Sequence, residues 1–138
     1  MEIADVLPFI AEHRRGVLAT HRAGGRPQLS NVNYGLTGGV IRISITADRF
    51  KTRNMRRDPR ASLHVTSEDF RRWAVVDCDV HLGATASAPG DAGVAALIDL
   101  YRSINGEHAD WSEFEQAMIT DRRLVASLHP THTYGQRI

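Results

Sequence analysis

Basic residues crowd into the stretch Asp48-Arg-Phe-Lys-Thr-Arg-Asn-Met-Arg-Arg-Asp-Pro-Arg60, which carries Arg49, Lys51, Arg53, Arg56, Arg57 and Arg60 against one internal acid, Asp58. Lys51 is the only lysine of the 138-residue chain, beside sixteen arginines. The stretch follows a run of alternating β-branched residues and stops at Pro59, so it reads as a short helix opening directly off a strand. The start of such a helix presents backbone N–H groups with no carbonyl to meet, together with the positive end of the peptide dipoles. Lys and Arg placed there make a seat for a phosphate, with Asp48 as the candidate N-cap and Asn54 one turn beyond Lys51. A charge run is also commonly a solvated face whose arginines pair with acids elsewhere. A nucleic-acid patch would bring high net charge or interleaved aromatics. The formal net charge is +1 and Phe50 is the one aromatic of the run, so nucleic acid is not the expected partner. Neither GxGxxG nor GxxxxGK occurs, which separates this seat from the glycine-rich nucleotide loops.

Other reactive side chains are scattered. The seven histidines include no HExxH, and His129 and His132 have no cysteine or carboxylate at ligand spacing, so no metal is expected. Cys78 lies in a strand pattern between Asp77 and Asp79 and reads as a buried, inert thiol. As the sole cysteine it also excludes an internal disulfide. The absence of GxSxG leaves nucleophilic hydrolysis without support. No acid–base dyad is evident, and the catalytic residues stay unassigned.

The elements that position the basic run follow from periodicity. Residues 2–13 put Ile3, Val6, Leu7 and Ile10 at helical spacing, with Pro8 inside the pattern. The period then changes to two: Gly16–His21 and Arg26–Tyr34 read as a hairpin about Ala23-Gly24-Gly25. On its second strand Gln28, Ser30 and Val32 share one face, and Leu29, Asn31 and Asn33 the other. A turn at Thr37-Gly38-Gly39 leads into Val40–Thr46, whose alternation of Ile41, Ile43 and Ile45 is the clearest strand signal. Beyond Pro59, Ala61–Thr66 and Trp73–Ala88 read as strands, with a bend at Gly83. Residues 91–104 and 110–120 read as a helical hairpin, and Arg123–Gly135 as a returning strand. Six strands joined mainly by short turns cannot make a doubly wound parallel sheet. The expectation is a mainly β protein, a six-stranded antiparallel barrel flanked by the N-terminal helix, the basic helix and the helical hairpin. At this length one domain over 1–138 is expected. The absence of a basic, apolar leader and of any window near the roughly 18 apolar residues of a membrane span points to the cytoplasm and away from a membrane.

Gly16-Val-Leu-Ala-Thr, Gly25-Arg-Pro-Gln-Leu-Ser-Asn-Val, Lys51-Thr-Arg-Asn, Arg57-Asp-Pro-Arg-Ala-Ser, Leu100-Tyr-Arg with Gly106-Glu-His, Asp110-Trp and His132-Thr-Tyr-Gly run through nearly the whole chain. In this order they resemble the actinobacterial deazaflavin-dependent oxidoreductases of the pyridoxamine 5'-phosphate oxidase-like superfamily. The resemblance implies a split β-barrel homodimer with two cofactor sites at the subunit interface. The cofactor implied is the deazaflavin F420, with FMN serving neighbouring branches. Lys51 and Asn54, with Arg49 and Arg53, match the positions that bind the cofactor phosphate. Gln28, Ser30, Asn31 and Val32 match the strand along the tricyclic ring, and Trp73 and Tyr134 would act from the partner subunit. Phe50 departs from the small residue usual between the arginine and the lysine. The implied activity is hydride transfer from reduced F420 to an activated double bond of an enone, quinone or pigment-like acceptor. The alternatives are an FMN-dependent oxidoreductase of the same fold and a non-catalytic flavin-binding protein.

Overall fold

The computed structural model of the chain describes residues 1–138. In order they form α1 (Ile3–Glu12), β1 (Arg15–His21), β2 (Pro27–Asn33), β3 (Gly35–Thr37), β4 (Val40–Thr46), α2 (Phe50–Arg57), β5 (Arg60–Thr66), β6 (Trp73–Leu82), α3 (Ala92–Asn105), α4 (Trp111–Thr120) and β7 (Arg123–Gln136). The strands make one antiparallel sheet in the order β2-β1-β5-β6-β7-β4-β3.

Alternation decides which side chains enter the core. Ile41, Ile43 and Ile45 of β4 stand opposite Leu128, Ala126 and Leu124 of β7, and all six are buried together with Leu18, Leu63 and Val76. Each large apolar side chain so buried contributes roughly 1.5–3 kcal/mol. α1 closes one side of this core and continues through Pro8 at the loss of one helical hydrogen bond. Tyr34 ties that helix down, its hydroxyl donating to the Ile10 carbonyl at 2.7 Å, and burial drives its phenol pKa upward.

The architecture is the expected mainly β split barrel, with two corrections, the number of strands and the end of β6. There are seven strands, because Gly35–Thr37 pairs with β4 across the Gly38-Gly39 turn. The barrel is split, as the motif resemblance implies: no ladder joins β2 to β4, so β2 and β3 remain edges. β6 ends at Leu82, not Ala88, and its irregularity lies at Asp77/Cys78, where Thr131 is the extra residue of β7.

A second apolar layer of Ala86, Val94, Leu97, Leu100, Phe114 and Val125 seats the α3–α4 hairpin against the sheet. Gly93 allows the close approach of α3, since a Cβ there would stand 2.6 Å from the Ala84 carbonyl oxygen and 2.7 Å from the Ala86 nitrogen. Asp91 caps the helix and the loop before it. Its carboxylate accepts from the N–H groups of Val94 at 2.8 Å, Ser87 at 2.9 Å and Ala88 at 3.0 Å. Those bonds, Val94 first, hold its pKa down at about 2. A carboxylate depressed in the folded state stabilises above its unfolded value of 3.8, and the contribution is lost as pH falls through about 2. Asp91→Ala should therefore lower the thermal midpoint at neutral pH and flatten its decline between about pH 4 and pH 2. Parallel acid limbs for the two proteins in calorimetry would contradict this role.

Candidate functional site

The basic helix α2 begins at Phe50. Arg49, not Asp48, holds the N-cap position, with extended backbone (φ −72°, ψ 154°) and no side-chain cap bond. The first N–H groups of the helix are therefore left uncapped. Thr52 fastens the helix start to the strand before it, its Oγ1 donating to the Thr46 carbonyl at 2.6 Å. The hydroxyl of Thr46 itself is buried and has no partner in the chain. Thr46, Asp48, Arg49, Phe50, Asp121 and Arg123 border a hollow of about 410 Å³. It shares Asp121 and Arg123 with a cavity of about 560 Å³ that runs from Lys51 and Ser44, past Asn31–Asn33, to Tyr101, His108 and Phe114 of the hairpin.

Lys51 is half-buried and makes no ion pair. Partial burial, and after it the positive charges of Arg49 and Arg123, pull its pKa below the ordinary lysine value. Arg123 reaches Asp121 at 3.6 Å and Ser44 Oγ at 3.3 Å. Lys51 and Arg123 thus line the cavity and Arg49 the adjoining hollow, with Glu113, Asp121 and Asp48 in the same linings, and Lys51 has no ion pair of its own. An anion placed there would relieve the repulsion and gain charge-assisted hydrogen bonds.

In the rest of the run Asn54, Arg57 and Arg60 are bound inward or to neighbours, while Arg53 and Arg56 are exposed without a side-chain partner. Asn54 is only 6% exposed. Its Nδ2 donates to Thr20 Oγ1 at 3.1 Å and to Gln28 Oε1 at 3.3 Å, while its Oδ1 accepts from Arg57 at 3.2 Å. Arg57 also donates to the His21 carbonyl at 2.6 Å, and Arg60 pairs with Asp58 at 2.8 Å. These bonds fix α2 against β1 and β2. Of the residues expected at a site, Asn31, Val32 and Lys51 line the large cavity and Arg49 the adjoining hollow. Gln28 borders a separate hollow of about 440 Å³ with Arg22, Pro27 and Phe50. Ser30 and Arg53 border none of these. Trp73 stands apart from them, edge-on to Tyr134 with centroids 6.0 Å apart and its Nε1 donating to Gln136 at 3.3 Å. Within one chain it is not brought to Lys51.

Sequence reasoning missed Ser44, Arg123, Asp121 and the hairpin side of the cavity. Strand register is the signal that finds Arg123, which lies opposite Thr46, close before the helix opening. The other reactive groups are quiet. Burial, then Asp77 and Asp79, pushes the Cys78 thiol up to about 12. No three His, Cys, Asp or Glu side chains are grouped to hold a metal ion. No helix is long and apolar enough to cross a membrane.

An antiparallel half-barrel opened along one seam, with helices packed beside it, defines a split-barrel protein. The chain belongs to the pyridoxamine 5'-phosphate oxidase family, whose model matches residues 4–137. Solved structures share the fold. The conserved hypothetical protein Rv2991 from Mycobacterium tuberculosis is 23% identical with a TM-score of 0.75, covering 99% of this chain and 84% of that one. An F420 reductase is 23% identical with a TM-score of 0.64, covering 88% and 89%. HutZ, the heme storage protein of Vibrio cholerae, is 15% identical with a TM-score of 0.67, covering 99% and 96%.

Asn54→Ala should cost about 1–3 kcal/mol of stability, because it removes the partner of the buried Thr20 hydroxyl and of the half-buried Gln28 amide. Arg53→Ala, on the exposed side, should stay within about 0.5 kcal/mol of wild type. Urea unfolding of both variants checks the contrast, and equal midpoints would remove the structural role given to Asn54.

Proposed function

We propose that the chain is an F420-dependent oxidoreductase that reduces an activated conjugated double bond, with FMN as the alternative cofactor of the same seat. The observation that carries this reading is Lys51: half-buried, without an ion pair, and crowded by Arg49 and Arg123 at the mouth of the cavity. A cofactor phosphate suits that cluster, and the uncapped N–H groups of α2 add to it. The buried Thr46 hydroxyl beside it also lacks a partner. The motif resemblance supports F420, as does an F420 reductase among the proteins that share the fold.

When bound, the cofactor supplies the hydride chemistry. Lys51 and Arg49 would hold its phosphate, with Arg53 at the rim. Asn54 would act from behind by bracing Gln28. Gln28, Ser30, Asn31 and Val32 of β2 would flank the ring, and Asn31 and Val32 already line the cavity. The apolar hairpin wall would exclude water and press the acceptor against the ring, which by positioning alone can supply several kcal/mol of a barrier. The working unit in this reading is a homodimer, with Trp73 and Tyr134 of one copy completing the site of the other. Leu29, 65% exposed, and Tyr134, 46% exposed, are large side chains on strand surfaces that a second copy would cover.

Titration of the purified protein with oxidised F420 and with FMN, followed by fluorescence, should show tighter binding of F420. Micromolar binding of FMN with none of F420 would overturn that choice. Lys51→Ala should weaken cofactor binding by roughly 1.5–3 kcal/mol, whereas an unchanged affinity would make the basic run a solvated face. Light scattering should give twice the 15.3 kDa chain mass, and a monomer at assay concentration would refute the shared site.

A further inference from the structure

The loop between α3 and α4 is held by more bonds than a turn requires. Gly106 turns the chain at φ 76°. The Glu107 carboxylate then spans both helices, accepting from Trp111 Nε1 at 3.0 Å and from Arg102 Nε at 2.9 Å. Those two bonds, Trp111 first, hold its pKa below the ordinary glutamate value. The Arg102 guanidinium also lies over the Trp111 ring at 4.9 Å. Asp110 caps α4 through the Glu113 N–H at 3.2 Å.

His108 sits between these anchors. Its Nδ1 accepts the Asp110 backbone N–H at 2.8 Å. Its ring is packed by Tyr101, Phe114 and Trp111, with centroids 5.2, 5.5 and 5.7 Å away. Because Nδ1 is the acceptor, the neutral ring carries its hydrogen on Nε2. Nε2 has no partner in the chain, and His108 borders the 560 Å³ cavity. The turn therefore holds one N–H donor with no partner in the chain, on a residue that borders the space in which the acceptor of the proposed reaction would lie.

Resting on that reading, we propose that His108 is the specificity-determining donor for the hydride acceptor, and that it selects an uncharged ring bearing a carbonyl oxygen. The lining beside it is apolar, with Leu97, Leu100, Ile104 and Met118 on the helices. A neutral ring is easily desolvated there, and a single fixed donor is worth more than in water. A carboxylate would instead be drawn to the Lys51 and Arg123 end, away from Glu113 on the hairpin side. Nε2–H bonds the carbonyl oxygen and keeps its hydrogen, so the residue orients and polarises the acceptor without serving as an acid.

Two substitutions separate this role from helix capping. His108→Asn places an oxygen where Nδ1 stands and keeps the Asp110 contact while removing the Nε2 donor. His108→Gln reaches the Nε2 position with an amide donor. The full chain is titrated with 2-cyclohexen-1-one and with cyclohexene, which lacks the oxygen, while the histidine side-chain nitrogens are followed by NMR. No cofactor is needed, so failure of the F420 and FMN titrations and failure of this proposal are read separately. The His108 Nε2 signal should move with cyclohexenone and stay in place with cyclohexene. His108→Asn should weaken cyclohexenone binding roughly three- to tenfold while leaving cyclohexene binding in place, and His108→Gln should recover part of it. Full cyclohexenone affinity in His108→Asn, equal losses for both ligands, or a His108 signal moved by neither would overturn the proposal.

Discussion

Strand β7 is buried on both faces over Leu124, Val125 and Ala126, and both apolar layers rest on it. Leu124 and Ala126 face the half-barrel core, while Val125 faces the helical hairpin. A strand with only one sheltered face could support the barrel or the hairpin but not both. The same strand carries Arg123 at its start, opposite Thr46 and close to the opening of α2. One chain segment thus fixes the cationic end of the cavity and its apolar wall in a single register, and slipping it by one residue would turn both layers inside out.

Within the basic run, hydrogen bonding divides residues that look equivalent by type. Arg57 and Asn54 are bound to His21, Thr20 and Gln28, which makes them part of the joint between α2 and the first hairpin. Arg60 is matched by Asp58. Arg49, Lys51, Arg53 and Arg56 have no acid partner, and of these Lys51 alone is half-buried, with Arg49 and Arg123 near it. Holding like charges together costs free energy, so the folded chain carries a local electrostatic tension at the place where a ligand anion would remove it.

The period-two runs were legible because each strand buries one face, and Ile41, Ile43 and Ile45 write that face directly into the sequence. The helical hairpin was legible from its apolar spacing, and the structure adds the Asp91 and Asp110 caps. β3 was not, since Gly35–Thr37 is too short to show a period. The split between β2 and β4 came from the motif resemblance and not from periodicity, because strand pairing is a non-local choice that no single stretch encodes. Lys51 was singled out by type and position, and the motifs pointed to the family. The inward turn of Asn54 depends on Thr20, distant in sequence, and the arrival of Arg123 depends on the β4–β7 register. Asp48 was misread as the cap because residue type favours Asp there, whereas the chain enters the helix one residue later.

The split leaves the sheet with two unlike edges. β3 offers three residues, and Gly35 within it lies against Ile104, where a Cβ would come within 3.0 Å of that side chain. β2 offers seven residues, beginning at a proline that cannot donate to a ladder. A sheet with two long bare edges can add copies without limit and grow into a fibre. Here, addition through β2 uses up the one long edge of each molecule, so edge-to-edge growth by that route ends at a pair.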